Sequence, residues 1–165
     1  MKFKDISIPG YQNEDIRKTE KSDTQSRKSD KKEPIVPRHE RLWVWRKAHE
    51  LMILIYNLCK KLPKQEYYRL IDQIQRSSKS VADNIAEGNS SYYFNNKIKS
   101  YYVSRKEAGE TQGHIREMEN KRYINSDLSE AMISEYEEVM RGINGLINKV
   151  CQLRDLYNSK GSKRT

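Results

Sequence analysis

The sequence predicts an all-α protein, an antiparallel up-down-up-down four-helix bundle with a disordered N-terminal tail. Three observations support this fold class. Apolar residues recur at three- and four-residue steps through most of the chain after Arg41. No segment shows the strict apolar–polar alternation that is typical of a half-buried strand. Glycine, proline and small polar residues divide the periodic part into four segments, and their short connections favour antiparallel neighbours.

The first 40 residues differ in composition from the rest of the chain. Between Thr19 and Glu33 there is no large apolar residue, and lysine, aspartate, serine and glutamate alternate. Such a segment buries too little surface to offset its backbone ordering entropy, about 1–2 kcal/mol per residue. We therefore predict a disordered or weakly ordered tail at 1–40, the bundle at 41–159 and a disordered C-terminal tail at 160–165. The alternative for the start of the chain is a short docked element around Phe3, Ile6, Ile8 and Tyr11.

The first predicted helix begins near Leu42 and ends before Pro63, because proline cannot continue the helical hydrogen-bond ladder. Its first apolar stripe consists of Trp45, Ala48, Met52, Ile55 and Cys59. Its second stripe consists of Val44, Leu51, Leu54, Leu58 and Leu62. Two apolar faces exceed the need of a simple bundle, so the second stripe favours contact with another subunit. The alternative is a partly exposed leucine ridge on a monomer.

The second predicted helix is defined by apolar residues at four- and seven-residue spacing, Leu70, Ile74, Val81 and Ile85. Serines and an alanine in its middle would let a neighbouring helix approach closely. Gly88 is predicted to end this helix, because glycine tolerates the left-handed cap conformation. The third helix is predicted from Tyr92 to Arg122. Gly109 and Gly113 each weaken it by about 1 kcal/mol relative to alanine, which predicts close packing against another helix.

The fourth predicted helix follows a turn at 125–127, where asparagine, serine and aspartate are typical N-terminal caps. It has the most regular apolar stripe in the chain. Its members are Leu128, Met132, Tyr136, Val139, Ile143, Leu146, Val150 and then Leu153 or Tyr157.

Charge is distributed unevenly along this basic chain, which has a net charge of +9 and a pI of about 9.4. Residues 1–40 contain ten basic and eight acidic residues, whereas residues 41–106 contain thirteen and five. Residues 107–165 contain nine basic and ten acidic residues. The positive charge therefore belongs to the first two and a half helices, which favours a polyanionic partner, RNA or DNA. The alternative is that the basic charge only maintains solubility.

The candidate nucleic-acid-binding residues form two rows. The principal row, on the third helix, consists of Lys97, Lys99, Tyr102, Arg105 and Lys106. A second row, on the second helix, consists of Arg69, Arg76 and Lys79. Lysine and arginine bind phosphates and tyrosine stacks on unpaired bases, so this combination suits RNA or single strands. The alternative is a solvated face whose tyrosines pack into the core.

The sequence lacks catalytic and metal-binding motifs, and we expect a protein without enzymatic activity, bound metal or cofactor. Cys59 and Cys151 belong to no Cys-x-x-Cys or Cys/His cluster, so free thiols in a reducing cytosol are expected. Glu110 and His114 lie one helical turn apart, but di-iron bundles need Glu-x-x-His motifs, which are missing. No segment contains a run of about 18 uninterrupted apolar residues, which a membrane-spanning helix needs. The N-terminus shows no apolar signal region. A soluble, cytoplasmic protein without a membrane partner is therefore predicted.

The stretches 43–48, 80–88 and 110–112 resemble motifs of the bacterial 23S rRNA intervening-sequence proteins. The opening Trp43-Val44-Trp45-Arg46-Lys47-Ala48 is similar to the start of that family. Ser80-Val81-Ala82-Asp83-Asn84-Ile85-Ala86-Glu87-Gly88 resembles its Ser-Ile/Val-x-x-Asn-Ile-Ala-Glu-Gly motif. Glu110-Thr111-Gln112 falls where the family carries a similar string, and the resemblance extends over about 42–150. Gln75-Arg76 departs from the pattern, since many members have two arginines there.

The resemblance implies a four-helix bundle that acts with nucleic acid. Members are encoded within insertions in ribosomal RNA genes or elsewhere in bacterial genomes. Similar proteins are accessory factors of reverse transcriptases in diversity-generating retroelements and form homopentamers with a basic surface. The resemblance therefore implies a homo-oligomer, by analogy a pentamer, with a reverse transcriptase as candidate partner. The alternative function is an interaction scaffold whose basic surface recruits an acidic protein.

Asn84 and Glu87 are the most characteristic polar residues of this motif, and two interpretations compete. They either cap and cross-link helix ends or contact a ligand. Because they adjoin Gly88 near a helix end, the capping interpretation is favoured.

Overall fold

Four long helices make up most of the computed structural model, which describes residues 36–162 and the side chains of residues 36–160. They are α1 (Trp43–Cys59), α2 (Asp72–Ser90), α3 (Phe94–Asn120) and α4 (Ser126–Ser162). A 3-10 turn (Arg38–Arg41) precedes α1. A second 3-10 turn (Lys64–Glu66) and a short π-helical segment (Tyr67–Ile71) connect α1 to α2. Residues 36–162 contain no β-strand, and the predicted all-α four-helix bundle is confirmed.

The predicted tails fall mostly outside this part of the chain. The disorder prediction for residues 1–35, with the alternative element near Phe3, and that for residues 163–165 lie outside the described residues. The turn at Arg38–Arg41 includes the end of the predicted N-terminal tail, and α4 continues past residue 159 to Ser162.

The apolar stripe of α4 forms one wall of the core. Its buried members are Leu128, Met132, Tyr136, Val139, Ile143, Ile147 and Val150. The predicted stripe contained Leu146, but Leu146 is only half-buried and Ile147 takes its place. Leu153 and Tyr157 are 47% and 71% exposed, so the core ends at Val150.

Both apolar stripes of α1 face the same core. Seven of its residues are buried, Val44, Ala48, Leu51, Leu54, Ile55, Leu58 and Cys59. The prediction that the second stripe faces another subunit is therefore wrong, because this chain itself covers Val44, Leu51, Leu54 and Leu58. The oligomeric state stays a prediction.

Small residues let α2 and α3 pack closely, as the sequence predicted. Ser77, Ser78 and Ala82 of α2 are buried. The Ser104 hydroxyl of α3 donates a hydrogen bond to the carbonyl oxygen of Val81 at 2.8 Å. The hydroxyls of Thr111 and Ser77 are hydrogen-bonded at 2.9 Å. These short side chains hydrogen-bond the two helices to each other and allow a short distance between them.

Gly88 serves the same close approach and does not end α2. The helix continues to Ser90, so the predicted left-handed stop at Gly88 is wrong. A Cβ at Gly88 would lie 2.5 Å from Cε1 and 2.7 Å from Cδ1 of the Tyr101 ring on α3. Glycine is therefore required here by the neighbouring aromatic ring.

The prediction of close packing at Gly109 and Gly113 is wrong. Both glycines lie on the exposed side of α3, and a Cβ added at either meets no atom within 4 Å. The left-handed conformation in the described residues falls instead on Arg122, with φ of 61°, in the connection that follows α3. The predicted cap of α4 is present, since Asn125 Oδ1 accepts a hydrogen bond from the Leu128 amide at 2.9 Å.

Paired charges link the elements of the bundle at two places, one of them the end where α3 stops. The buried Glu66 carboxylate accepts bonds from Lys121 Nζ, 3.1 Å from each oxygen, and from the Tyr123 hydroxyl at 3.0 Å. The Lys121 ammonium is the main reason that the pKa of Glu66 is below its usual value. Lys47 of α1 forms ion pairs with Glu135, at 2.5 Å, and with Glu138 of α4.

Helix α1 covers only the first half of α4. Trp43, the first residue of α1, lies against Gly142, where a Cβ would meet the indole at 2.8 Å. Lys47, one turn further along α1, already pairs with residues 135 and 138, so the two helices run antiparallel. Helix α1 has 17 residues and α4 has 37, and the part of α4 after Gly142 extends beyond α1.

Candidate nucleic-acid interface

Helices α3 and α4 each divide into a basic half and an acidic half. Residues 94–106 of α3 contain four basic residues and no acidic one, whereas 107–120 contain four acidic residues and one arginine. In α4 the order is reversed, with five acidic and no basic residues at 126–140, then four basic residues and one acidic residue at 141–162. Because the two helices are antiparallel neighbours, the basic halves lie side by side.

An open groove lies between these basic halves. It has a volume of about 490 Å³ and is lined by Asn95, Ile98, Lys99, Tyr102, Val103, Lys106 and Arg154. The Tyr102 ring is 53% exposed. Lys99 and Lys106 form no hydrogen bond or ion pair with any described residue. We call this site the α3–α4 groove.

Three of the five predicted α3 residues, Lys99, Tyr102 and Lys106, meet in this groove. Arg105 is exposed on α3 but does not line it. Lys97 has a different position, because its ammonium donates hydrogen bonds to the carbonyl oxygens of Gly88 and Asn89 at 3.3 and 3.2 Å. Burial lowers the pKa of Lys97. Lys97 therefore holds the end of α2 against α3.

The predicted α2 row is exposed but lies apart from the α3–α4 groove. Lys79 is in an ion pair with Asp83, one helical turn away. Arg76 donates a hydrogen bond to Gln73 at 3.3 Å, and Arg69 lies in the π-helical segment before α2. None of the three lines the groove.

A second, polar groove lies between α2 and α3, and we call it the α2–α3 groove. Its volume is about 400 Å³, and its lining is Asn84, Glu87, Ser91, Asn96, Lys99, Ser100 and Val103. Lys99 and Val103 line both grooves, so the two are separated only by the ridge of α3.

Asn84 and Glu87, the characteristic polar residues of the α2 motif, behave differently. The Asn84 amide nitrogen bonds within its own helix, to the carbonyl oxygen of Ser80 at 2.8 Å and its hydroxyl at 3.1 Å. The Glu87 carbonyl oxygen accepts bonds from the Ser91 amide and hydroxyl at 2.8 and 2.9 Å. The Glu87 carboxylate has no such contact with any described residue. The expected cross-link between helix ends is therefore not made by this side chain.

Sequence reasoning missed Arg154, and for Glu87 it favoured a capping role over a ligand contact. Arg154 belongs to the part of the chain whose summed charge is slightly negative, which concealed the basic half of α4. Counting charge separately over each half of the predicted fourth helix would have revealed it.

The remaining titratable groups suggest no metal centre. The described residues contain no group of three or more histidine, cysteine, aspartate or glutamate side chains that could hold a metal ion. His114 lies 3.7 Å from a Glu110 oxygen and 3.9 Å from a Glu117 oxygen. Among residues 36–162, no helix is both long and apolar enough to cross a membrane.

Comparison with known proteins identifies a matching family and solved structures of similar fold. The 23S rRNA-intervening sequence protein family matches residues 40–145, more than half of the chain. A solved structure from Bacteroides thetaiotaomicron, of a protein with unknown function from the S23 ribosomal protein family, is similar with a TM-score of 0.59. The two chains are 25% identical, and the match covers 64% of this chain and 95% of that chain. No curated protein matches this chain.

Proposed function

This chain belongs to the 23S rRNA-intervening sequence protein family, and from that premise we propose that it is a non-enzymatic RNA-binding bundle whose RNA site is the α3–α4 groove. The family name links the chain to RNA only in general terms. The observation that supports a specific site is the meeting of Lys99, Tyr102, Lys106 and Arg154 in one open groove.

The unpaired lysines are the main argument for a polyanionic ligand. Lys99 and Lys106 can bind phosphate without breaking an existing ion pair, because neither has a partner within the described residues. Binding phosphate also releases condensed counterions from the nucleic acid, which favours association at low salt. The acidic halves of α3 and α4 would repel the same ligand, so they confine it to the basic half of the molecule.

The half-exposed Tyr102 ring favours unpaired RNA over a duplex. Base–tyrosine stacking needs a splayed base, whereas an A-form duplex keeps its bases stacked and its major groove narrow. A groove between two helices can receive one strand. We therefore propose that the ligand is a loop, bulge or other single-stranded segment of RNA.

Self-association is part of the same proposal. Trp43, Leu153, Leu156 and Tyr157 are between 47% and 71% exposed, and the last three lie on the part of α4 that α1 does not cover. Exposed apolar side chains grouped in this way are typical of interaction surfaces. By analogy with the family, we propose a pentamer that acts in the cytoplasm with a ribosomal RNA insertion or a reverse transcriptase. Light scattering combined with the 260/280 nm absorbance ratio would give its subunit number and bound nucleic acid.

The exposed basic groove also favours a second candidate function, recruitment of an acidic protein. Carboxylates would bind Lys99 and Lys106 as phosphates do. Nuclease treatment during a pull-down separates the two functions, since it would remove an RNA-mediated partner and leave a directly bound acidic protein.

The test of RNA binding is charge reversal at the groove with a matched control elsewhere. Lys99→Glu/Lys106→Glu is compared with Lys60→Glu/Lys64→Glu in the exposed α1–α2 connection, which changes the net charge equally. Binding to an RNA hairpin with an unpaired loop is measured from 50 to 300 mM salt. Losing two phosphate contacts should reduce the slope of log K against log salt by about 1.4, at about 0.7 per single-strand contact.

The control variant should keep the wild-type slope, and both variants should keep the wild-type helical content by circular dichroism. Undetectable binding by the wild-type protein at low salt, or binding that salt does not weaken, would contradict the proposed function. An equal loss in both double variants would show that only net charge matters and would exclude the α3–α4 groove as the site.

A further inference from the structure

The α2–α3 groove contains an acidic side chain that pairs with no described residue, although it lies in the basic half of the molecule. Glu87 is the one acidic residue among those that line either groove of the described structure. Its carboxylate is exposed and forms no hydrogen bond or ion pair with the described residues. A carboxylate at this position weakens the attraction between the basic surface and phosphate. Electrostatic attraction of a polyanion therefore does not explain why a glutamate lies here.

Three other polar side chains of this groove are bonded to residues four positions earlier in the chain, whereas the side chains of Asn96 and Lys99 have no such partner among the described residues. Asn84 bonds to Ser80 one turn earlier, and the Ser100 hydroxyl donates to the carbonyl oxygen of Asn96 at 3.0 Å. The Ser91 hydroxyl donates to the carbonyl oxygen of Glu87. The groove therefore presents one charged acceptor without a protein partner, the Glu87 carboxylate, together with the equally unpaired Lys99 ammonium. Its volume of about 400 Å³ lies within the range of about 300–1,000 Å³ for small-molecule sites.

We propose that the α2–α3 groove recognises an unpaired guanine base of the RNA, with the Glu87 carboxylate accepting hydrogen bonds from N1–H and the N2 amino group. This inference rests on the proposed RNA-binding function. An ionised carboxylate is an acceptor only, with two oxygens. Unpaired bases in RNA are read through hydrogen bonds to their Watson–Crick edges.

Guanine is the base that matches this acceptor. It presents two adjacent donors on its Watson–Crick edge, N1–H and the N2 amino group. Adenine and cytosine offer one amino group next to a ring-nitrogen acceptor, which would face a carboxylate oxygen. Uracil offers one N–H between two carbonyl oxygens, which the carboxylate repels. The pairing would thus be bidentate for guanine and at best single for the others.

Continuity between the two grooves places this base next to the Tyr102 site. Lys99 and Val103 form the ridge that both grooves share. A strand whose phosphate binds the Lys99 ammonium could cross this ridge, with one base against Tyr102 and the neighbouring guanine beside Glu87. The ligand of the two grooves is therefore a short unpaired segment that contains guanine.

The test uses Glu87→Gln. Loss of the negative charge should raise the affinity for any RNA, whereas loss of the guanine contact should lower the affinity for guanosine relative to the other bases. Affinity is measured for uridine-rich oligonucleotides of one length that carry guanosine, inosine or adenosine at a single position. Inosine keeps N1–H and lacks the N2 amino group. The wild-type protein should bind the guanosine oligonucleotide about tenfold more tightly than the adenosine one, with inosine between them, as expected for a bidentate contact.

Glu87→Gln should remove this preference while leaving affinity for the adenosine oligonucleotide equal or higher, because one negative charge is gone. Glu130→Gln, on the acidic half of α4, removes the same charge from another exposed glutamate and should keep the preference. A preference for guanosine that survives Glu87→Gln, or an equal gain for all three oligonucleotides, would overturn the inference. Binding without base preference refutes this inference alone, whereas no binding of any oligonucleotide at low salt refutes the proposed function.

Discussion

The two faces of α3 differ in how many of their side chains already pack against or bond to another part of the chain. On the face toward α2, the Tyr101 ring packs on Gly88, Ser104 bonds to Val81 and Thr111 bonds to Ser77. On its exposed side, Lys99 and Lys106 have no hydrogen-bonding partner within the described residues, and Gly109 has no neighbour that a Cβ would touch. One helix thus carries a face that holds the fold and a face that is free for a ligand.

This division predicts which positions of α3 can be substituted without a loss in the free energy of unfolding. On the packed face each side chain is limited in size by a neighbouring helix, so a single added carbon matters. On the open face the side chains meet solvent, and substitutions there should change binding while leaving folding nearly unaffected. Neighbours in sequence can belong to different faces, as Tyr101, which is buried, and Tyr102, which is half-exposed, show.

The largest expected effect is at the packed face, in Gly88→Ala. The added Cβ would lie 2.5 Å from the buried Tyr101 ring, which would have to move together with its surroundings. Overpacking costs typically about 1–3 kcal/mol, and an overlap this close with a buried ring should cost the upper part of that range, about 2–3 kcal/mol. The better helix propensity of alanine offsets about 1 kcal/mol of it. We expect a net loss of about 1–2 kcal/mol in the free energy of unfolding, measured by urea denaturation. A neutral result would mean that α2 and α3 are further apart than described.

The same substitution on the open face, Gly109→Ala, should have the opposite sign. No atom lies within 4 Å of the added Cβ, so only the intrinsic helix preference changes. Alanine in a helix interior is favoured over glycine by about 0.8–1 kcal/mol, and the free energy of unfolding should rise by up to that amount. The urea midpoints of Gly109→Ala and Gly88→Ala, measured side by side, would then bracket the wild type. A destabilised Gly109→Ala would contradict the open surroundings of Gly109.

The smallest effect is confined to alkaline pH and concerns Tyr101. Burial raises the pKa of its hydroxyl above the ordinary value of 10.0. A raised pKa in the folded state means that stability is complete below pH 10 and is lost as pH rises through the folded pKa. Tyr101→Phe should therefore lose less stability than the wild type between pH 9 and pH 11, measured by urea denaturation at each pH.

The Cys59 thiol also titrates in this range, because burial raises its pKa to about 11. It is present in both proteins, so the difference between their pH profiles reports on Tyr101 alone. Parallel pH profiles for the two proteins would show that the Tyr101 hydroxyl is not desolvated.

The helices were predictable from sequence because each one repeats an apolar pattern over several turns. The stripe of α4 from Leu128 to Ile143 was predicted residue by residue, and it is buried as expected. The glycines were not predictable, since the same residue type serves a close ring contact at Gly88 and meets open space at Gly109. Periodicity indicates which face is buried, but not which neighbour lies opposite or how near it is.

The candidate site was predictable only in its α3 part. Lys99, Tyr102 and Lys106 lie within two turns of one helix, so helical spacing alone places them together. Arg154 is far away in sequence and joins them through the antiparallel pairing of α3 with α4. Lys97 belongs to the same basic run, yet it bonds to the end of α2, which depends on the angle between two helices.

The different lengths of α1 and α4 give the molecule two cross-sections. Up to the contact of Trp43 with Gly142 it is a bundle of four rods, and beyond that contact α3 and α4 continue side by side without α1. Stiffness against bending rises steeply with the number of rods packed together, so the part without α1 should deform more readily. Both grooves include residues from this thinner part, and a flexible strand would therefore bind to a support that can adjust its curvature to it.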